Sequence, residues 1–373
     1  MAQADLVQRA KSLLSQLAQN PRFAGSAEES AARALCRAEL ERAGFECQQL
    51  PFEYSEWPGR WGPPLAAAFQ AATILAVAHM AVHHGPLAAL AVGAALLSAL
   101  MFASGDAKRR WIARFPLRRA RSENLEAKRG NPVVWLVAHS DSKSQTVPML
   151  IRIAGSVALA VVTTASFGVL LLALVGVSFV VWVWHLLAIL AVLTALPSML
   201  CFIRNDSNGA VDNASGIVAV LLAAQSASAP RELGVLITSG EELGLAGARA
   251  WAGAQVRTDL AQPALKVLNC DTVDDAGNWR CMYTGPKPKR IVAAAETIAA
   301  RLGVRLLVGR LIPGILADSM AFADRGVEAI TLSRGTLSTL ARIHTRRDNS
   351  NAFGGHGAAE ASVLLSALAK ELG

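Results

Sequence analysis

The chain has 373 residues, of which 53% are hydrophobic and only 17% charged, and a formal net charge of +8. That length holds one large domain or two ordinary ones, and the apolar share exceeds what a soluble domain carries, so part of the chain faces lipid. The basic excess does not point to a nucleic-acid partner, because much of it is gathered in KRRWIARFPLRRAR, residues 108–121, directly after an apolar segment, where membrane flanking accounts for it.

The first twenty residues, MAQADLVQRAKSLLSQLAQN, alternate charge with apolar residues at helical spacing and hold no uninterrupted apolar core, which predicts an amphipathic helix and not a signal peptide. Ser26-Ala27-Glu28-Glu29 is a capping box opening a helix to about Gly44, after which Phe45–Phe52 is a strand. A first apolar block, residues 63–104, is broken by His83, His84, Gly85 and Pro86; a second, residues 149–203, is apolar apart from Arg152, His185 and scattered hydroxyls. Each is too long for one crossing at roughly 20 residues per span, so each forms a hairpin of two helices, the second turning near Gly176–Ser178. The soluble domain is thereby divided into residues 1–62, 105–148 and 204–373, with the hairpins at 63–104 and 149–203. Within it Val133–Ala138, Gly234–Thr238 and Ala264–Cys270 are apolar runs of strand length, and helical patterns fill Ala214–Ala224, Leu245–Ala254, Pro288–Leu302 and Gly357–Leu372. Strands alternating with helices predict an α/β fold with a mixed, largely parallel sheet flanked by helices, plus four transmembrane helices.

The polar residues that follow these strands are acids and histidines, and open α/β sheets place their sites at the carboxyl ends of strands. The segments are LVAHSDS (136–142), NGAVDNASG (208–216), TSGEELGLAG (238–247), NCDTV (269–273) and IHTRRDN (343–349). Each has an ordinary reading by itself: a structural histidine, a helix N-cap at Asp212-Asn213, a solvated helix start at Glu241-Glu242. The five cysteines, Cys36, Cys47, Cys201, Cys270 and Cys281, are odd in number and irregularly spaced. They imply neither a disulfide framework nor a zinc finger, so any metal must rest on histidines and carboxylates. Free thiols also fit a reducing compartment.

In this order the five segments resemble metallopeptidase family 28 of clan MH, the leucyl aminopeptidase and glutamate carboxypeptidase group, over the whole chain apart from the two apolar blocks. The resemblance implies two zinc ions, with His139 and Asp271 on one, Glu242 and His344 on the other, and Asp212 bridging. Asp141 would accept the His139 imidazole N–H and fix its tautomer, and Glu241 would be the general base acting on a metal-bridging water. Asp318, in Ala317-Asp318-Ser319-Met320-Ala321-Phe322, resembles the family's segment near the substrate pocket. The usual family reaction removes one N-terminal residue from a peptide. Physical chemistry points the same way: two nearby dications repel, a shared carboxylate offsets that repulsion, and imidazole with carboxylate ligands leaves zinc open positions for water and substrate.

The insertions set this chain apart from that family. His139 and Asp212 lie on either side of the second block, and both belong to one site, so an even number of crossings separates them. Lys108, Arg109, Arg110, Arg114, Arg118, Arg119 and Arg121 follow the first hairpin, Arg60 precedes it, and Lys143 and Arg204 flank the second, while neither short turn holds Lys or Arg. The positive-inside rule then predicts a multi-pass protein of the inner (cell) membrane with a cytoplasmic catalytic domain, Trp182 and Trp184 near the far interface and Trp57, Trp61 and Trp111 near the domain side. Eight residues separate Asp141 from Met149 and nine separate Ile203 from Asp212, so even extended linkers keep the site within roughly 30 Å of the bilayer. Hydrophobic or membrane-proximal peptides are the expected substrates. His79, His83, His84 and His185 fall toward the far side, where interfacial packing explains them. The rival functions are a catalytically silent peptidase-like membrane receptor or scaffold, which has no reason to keep a full ligand set, and a single-metal, cyclase-like acyltransferase. A transporter would carry acids within its spans, and these spans carry almost none.

Overall fold

The computed structural model describes residues 3–104, 113–226, 228–255, 265–312 and 314–373. The chain divides into two compact units, one of Met1–Tyr54, Ala120–Ser144 and Arg204–Gly373, the other of Ser55–Arg119 and Gln145–Ile203. The helices are α1 (Gln3–Leu17), α2 (Ala27–Arg42), α3 (Trp57–His83), α4 (Pro86–Ser104), α5 (Met149–Leu174), α6 (Val181–Met199), α7 (Ser215–Gln225), α8 (Ala246–Gln255), α9 (Lys289–Arg301), α10 (Ser319–Ala323), α11 (Leu337–Arg342) and α12 (His356–Leu372).

The first unit is organised by an eight-stranded sheet of β1 (Glu46–Ser55), β2 (Arg119–Arg129), β3 (Val134–His139), β4 (Leu233–Thr238), β5 (Lys266–Val273), β6 (Asn278–Tyr283), β7 (Leu306–Arg310) and β8 (Glu328–Gly335). Their spatial order is β1-β2-β4-β3-β5-β8-β6-β7. The four central strands β4, β3, β5 and β8 run parallel, β2 is antiparallel to β4, and β6 is antiparallel to β8. The sheet is therefore mixed and largely parallel, as the alternation of strands and helices predicts. Four of the eight, β2, β6, β7 and β8, are not among the strands read from the sequence; β2, RARSENLEAKR, is too charged to show an apolar run.

One sheet face carries Trp135, Val137, Leu236 and Val267, which pack with Leu245, Ala248, Trp251 and Phe322. The Trp135 and Trp251 rings meet edge to face at 4.8 Å, and Trp251 Nε1 donates to Glu126 at 2.6 Å. Gly234 is required beneath them, since a Cβ there would lie 2.4 Å from the Trp135 ring. Helix α7 is apolar all round and every residue from Ser215 to Ala224 is buried, which is the signature of a central helix. The N-terminal capping box forms only in part. Ser26 Oγ accepts the Glu29 N–H at 3.2 Å, but the buried Glu29 carboxylate accepts from Gly25 N–H and Ser140 Oγ, both at 2.7 Å, and pairs with Arg33 at 2.6 Å.

In the second unit α3 and α4 form one hairpin, turning at Gly85, and α5 and α6 another, turning at Gly176; both glycines have a positive φ, of 87° and 93°. Ala67, Ala71, Ile74, Leu159, Val162, Ala191 and Ala195 make one layer of its interior, and Val77, Ala89, Leu170 and Trp184 another. Gln70 Nε2 donates to Thr163 Oγ1 at 2.8 Å, and the Ser156 and Ser198 hydroxyls pair at 3.0 Å, so polar groups are spent between helices. Three helices, α3, α5 and α6, are long and apolar enough to cross a membrane; α4 is apolar, with a shorter described stretch at Pro86–Ala99. Four such helices were expected; among the described residues three meet the length, and α4 is followed only as far as Ala99. Trp184 is buried in the bundle at 5% exposure, whereas Trp182 is 63% exposed. Trp57 stacks on Phe115 at 4.8 Å and Trp61 meets Phe202 edge-on. Trp111, Lys108, Arg109 and Arg110 lie outside the described residues.

Candidate metal centre

Strand register assembles the site. His139 is opposite Thr238, and Val137 is opposite Asn269, so two residues further on His139 and Asp271 stand at the same level. Beyond Thr238 the chain turns through Gly240 (φ 68°) into the short turn Glu241–Leu243. All of these are carboxyl ends of parallel strands. Asp212 comes from the turn Ala210–Ala214 that precedes α7, and His344 from the loop after α11. The His344 backbone has a φ of 61°, left-handed and unusual for a residue with a Cβ, of the sort held in place at functional sites.

The sequence-predicted residues converge, and all are buried. His139 Nε2 lies 3.2 Å from Asp212 Oδ1 and 3.6 Å from Asp271 Oδ1. His344 Nε2 lies 2.9 Å from Asp212 Oδ2 and 3.1 Å from Glu242 Oε1. Two groups result, His139-Asp212-Asp271 and Asp212-Glu242-His344, each with its donor atoms within 4.8 Å and both sharing Asp212. Close as these atoms are, His139 Nε2, His344 Nε2 and Glu242 Oε1 are buried without a hydrogen-bond partner. Burying unpaired polar atoms is costly, and a bound cation with nitrogen and oxygen ligands would satisfy all three. This donor set fits zinc.

Asp141 acts through different atoms from those expected. Its main-chain carbonyl, not its carboxylate, accepts the His139 Nδ1–H at 3.0 Å, and the nearest carboxylate oxygen is 3.6 Å away. The tautomer is fixed all the same, with Nε2 left facing Asp212 and Asp271. The Asp141 carboxylate instead accepts the backbone N–H groups of Glu241 and Glu242, each at 3.1 Å, and so sets where both glutamates begin. Asp318 is fully buried; it accepts from the Thr238 hydroxyl, and its Oδ1 has no hydrogen-bond partner.

Three supporting residues escaped the sequence reading. Asp348, within the IHTRRDN segment, accepts the N–H of Val211 at 2.7 Å and of Asp212 at 3.2 Å. Arg22 is 1% exposed and donates to the carbonyls of Ser140 at 2.9 Å and Gly209 at 3.0 Å, as well as to those of Leu17 and Asn208, tying the loop after His139 to the loop before Asp212. Nothing in its local sequence marks it. Lys143, counted in the sequence as a flanking charge, reaches into the site: its Nζ is 2.6 Å from Glu242 Oε2 and 3.2 Å from the Glu242 carbonyl. Asn213 completes the frame, donating to the Cys270 carbonyl at 2.9 Å and accepting from Gly216 N–H and Thr272 N–H.

The electrostatics follow from burial and crowding. Burial opposes protonation of His139, but Glu241, Asp141, Asp212 and Asp271 outweigh it and raise the imidazole well above its usual range. For His344, burial and Lys143 oppose protonation, and Glu242 and Asp212 overcome them. Burial likewise disfavours charge on Asp212, yet the two imidazoles hold it well below the usual carboxylate range. Burial pushes Glu241 well up, opposed by His139 and reinforced by Glu242, Asp271 and Asp318. Asp318 and Asp348 are both pushed up to about 7, chiefly by burial.

The family model of peptidase family M28 matches residues 123–368. No curated protein sequence matches the chain. Among solved structures, the aminopeptidase from Aneurinibacillus sp. strain AM-1 is 14% identical, with 97% of this chain and 92% of that one covered and a TM-score of 0.54. BSAP, a zinc aminopeptidase from Bacillus subtilis, is 15% identical, with 97% and 94% covered and a TM-score of 0.53. The glutaminyl cyclase of Fimbriiglobus ruber is 13% identical, with 98% and 95% covered and a TM-score of 0.55. At these identities the likeness is one of fold.

Proposed function

The chain belongs to peptidase family M28, and on that premise we propose that it is a membrane-embedded two-zinc aminopeptidase that removes N-terminal residues from peptides. The observation that carries this reading is the pair of buried acid–histidine groups that share Asp212 and present unpartnered Nε2 and Oε1 atoms. His139, Asp271 and one oxygen of Asp212 would hold one ion; His344, Glu242 and the other oxygen of Asp212 would hold the second.

Zinc, when bound, supplies Lewis acidity toward a peptide carbonyl and makes water more acidic. The remaining work belongs to the chain. Glu241, buried among His139, Glu242 and Asp271, accepts the proton of the attacking water and passes it to the leaving amine. The upward pressure that burial places on its carboxyl favours holding that proton between the two steps. Asp141 keeps Glu241 and Glu242 in register through their N–H groups. The apolar second unit supports membrane embedding and, with it, hydrophobic or membrane-proximal peptides as the substrate class; the Lys and Arg residues that flank the apolar blocks support an inner-membrane location with a cytoplasmic catalytic unit.

The test is to purify the protein in detergent, count zinc, and follow release of the N-terminal residue from soluble and from hydrophobic peptides. Wild type and Glu241→Gln should both hold two ions, and the variant should lose at least roughly a hundredfold in kcat. Equal turnover by the two proteins would remove Glu241 as the base. A peptide with N-terminal glutamine separates the cyclase alternative, since cyclisation releases ammonia and leaves the peptide bond intact.

A further inference from the structure

Lys143 follows the His139-Ser140-Asp141 run by two residues and precedes the second hairpin, yet its side chain is only 13% exposed because it turns inward onto Glu242. The two oxygens of Glu242 are thereby used differently. Oε2 is taken by the Lys143 ammonium at 2.6 Å, whereas Oε1 faces His344 Nε2 at 3.1 Å and is buried without a hydrogen-bond partner. A second contact, from Nζ to the Glu242 carbonyl at 3.2 Å, fixes the ammonium over that residue. The His139 group differs. Its carboxylates, Asp212 and Asp271, approach His139 Nε2, and the Asp141 carboxylate lies 3.6 Å from Nδ1 on the other side of the ring, so negative charge surrounds the imidazole.

We propose that Lys143 makes the two metal positions unequal: by sharing Glu242 it confines that ligand to one oxygen and weakens the hold of the Asp212-Glu242-His344 position on its ion, which is the first to exchange. This rests on the two-zinc reading. The physical reason is Coulombic. A fixed monocation a few ångströms from a dication, in a site shielded from solvent, opposes binding, and a carboxylate already paired with an ammonium has less charge to offer. Both groups draw equally on Asp212, so the inequality comes from what flanks each. Lys143 is a positioning residue in this scheme: it acts on the ion through Glu242.

The test is a chelator titration of the zinc-loaded full-length protein in detergent, counting ions retained at each chelator concentration. Wild type should release its ions in two separated steps, the earlier one absent from His344→Ala. Lys143→Met keeps the aliphatic stem and removes the charge; it should move the earlier step to chelator concentrations higher by about tenfold or more, and Lys143→Gln should do the same. Lys143→Arg keeps the charge and should release as wild type does. If wild type holds two ions and neither neutral variant moves the earlier step upward, the inference is overturned and the two-zinc reading stands. If wild type and both neutral variants hold a single ion at saturating zinc, the two-zinc reading falls and this inference falls with it.

Discussion

His139 and His344 are the residues through which pH should act on the site. In the metal-free chain both imidazoles are raised: burial opposes the charged ring, and the surrounding carboxylates outweigh it. Zinc binds the neutral ring, so on the proposed reading each ion displaces a proton, and below the raised pKa the affinity should fall about tenfold per pH unit for each imidazole. Zinc content after dialysis against a fixed free-zinc concentration should therefore drop as pH is lowered through the shifted range and level off above it. Retention that does not change between about pH 8 and pH 5 would contradict this. His139 and the acids Asp141, Asp212, Glu241, Glu242 and Asp271 were legible because each follows a strand or opens a helix, and His344, in the loop after α11, because its segment completes the order in which the family's segments occur. Arg22 was not, since a lone arginine before a helix has no pattern, and only the fold brings the carbonyls of Ser140 and Gly209 to its guanidinium.

Among the elements, the turn Ala210–Ala214 and the start of α7 are the most exacting, because they place Asp212, which both acid–histidine groups share. The Asn213 side chain spans from the Gly216 N–H to the Thr272 N–H and the Cys270 carbonyl, so α7 and β5 are locked together beside Asp271. Gly216 sits in that lock: a Cβ there would lie 2.2 Å from Asn213 Oδ1 and 2.4 Å from the Cys270 carbonyl oxygen. Gly216→Ala should force the Asn213 side chain out, lower stability by about 1–3 kcal/mol, and lower zinc retention, as read by thermal melting and metal counting. A variant that melts with wild type and keeps its full zinc would show that the turn tolerates the shift. The DNASG segment could be read as a helix N-cap from sequence; what it clamps could not, because Thr272 and Cys270 lie more than fifty residues away.

For the whole molecule, the second unit turns apolar side chains outward: Val161 is 62% exposed, Leu171 56% and Leu193 55%. Its polar groups, Gln70, Thr163, Ser156 and Ser198, pair within the bundle. An outward apolar face with inward polar pairs is the arrangement lipid demands. The proposed orientation puts the α3–α4 turn across the membrane from the C-terminus, so a reporter active only outside the cytoplasm should work when fused at residue 85 and fail at residue 373. Activity at 373 would reverse the assignment. The charges that set this expectation need one adjustment, since Lys143 is engaged with Glu242 and leaves the flanking count to the remaining arginines and lysines.

The α/β class, the two apolar hairpins and the residue types of the proposed metal site were legible in the sequence, because strand-length apolar runs, span-length apolar blocks and clustered acids and histidines are local patterns written in consecutive residues. Tertiary structure alone decided which atoms do the work. It handed the His139 tautomer to the Asp141 carbonyl and the Asp141 carboxylate to the Glu241 and Glu242 N–H groups. It buried Trp184, and it turned Lys143 from a flanking charge into a partner of Glu242. Each of these depends on which distant backbone group or charge arrives at hydrogen-bonding distance, and that is fixed by strand register and loop closure across the sheet, not by neighbours along the chain.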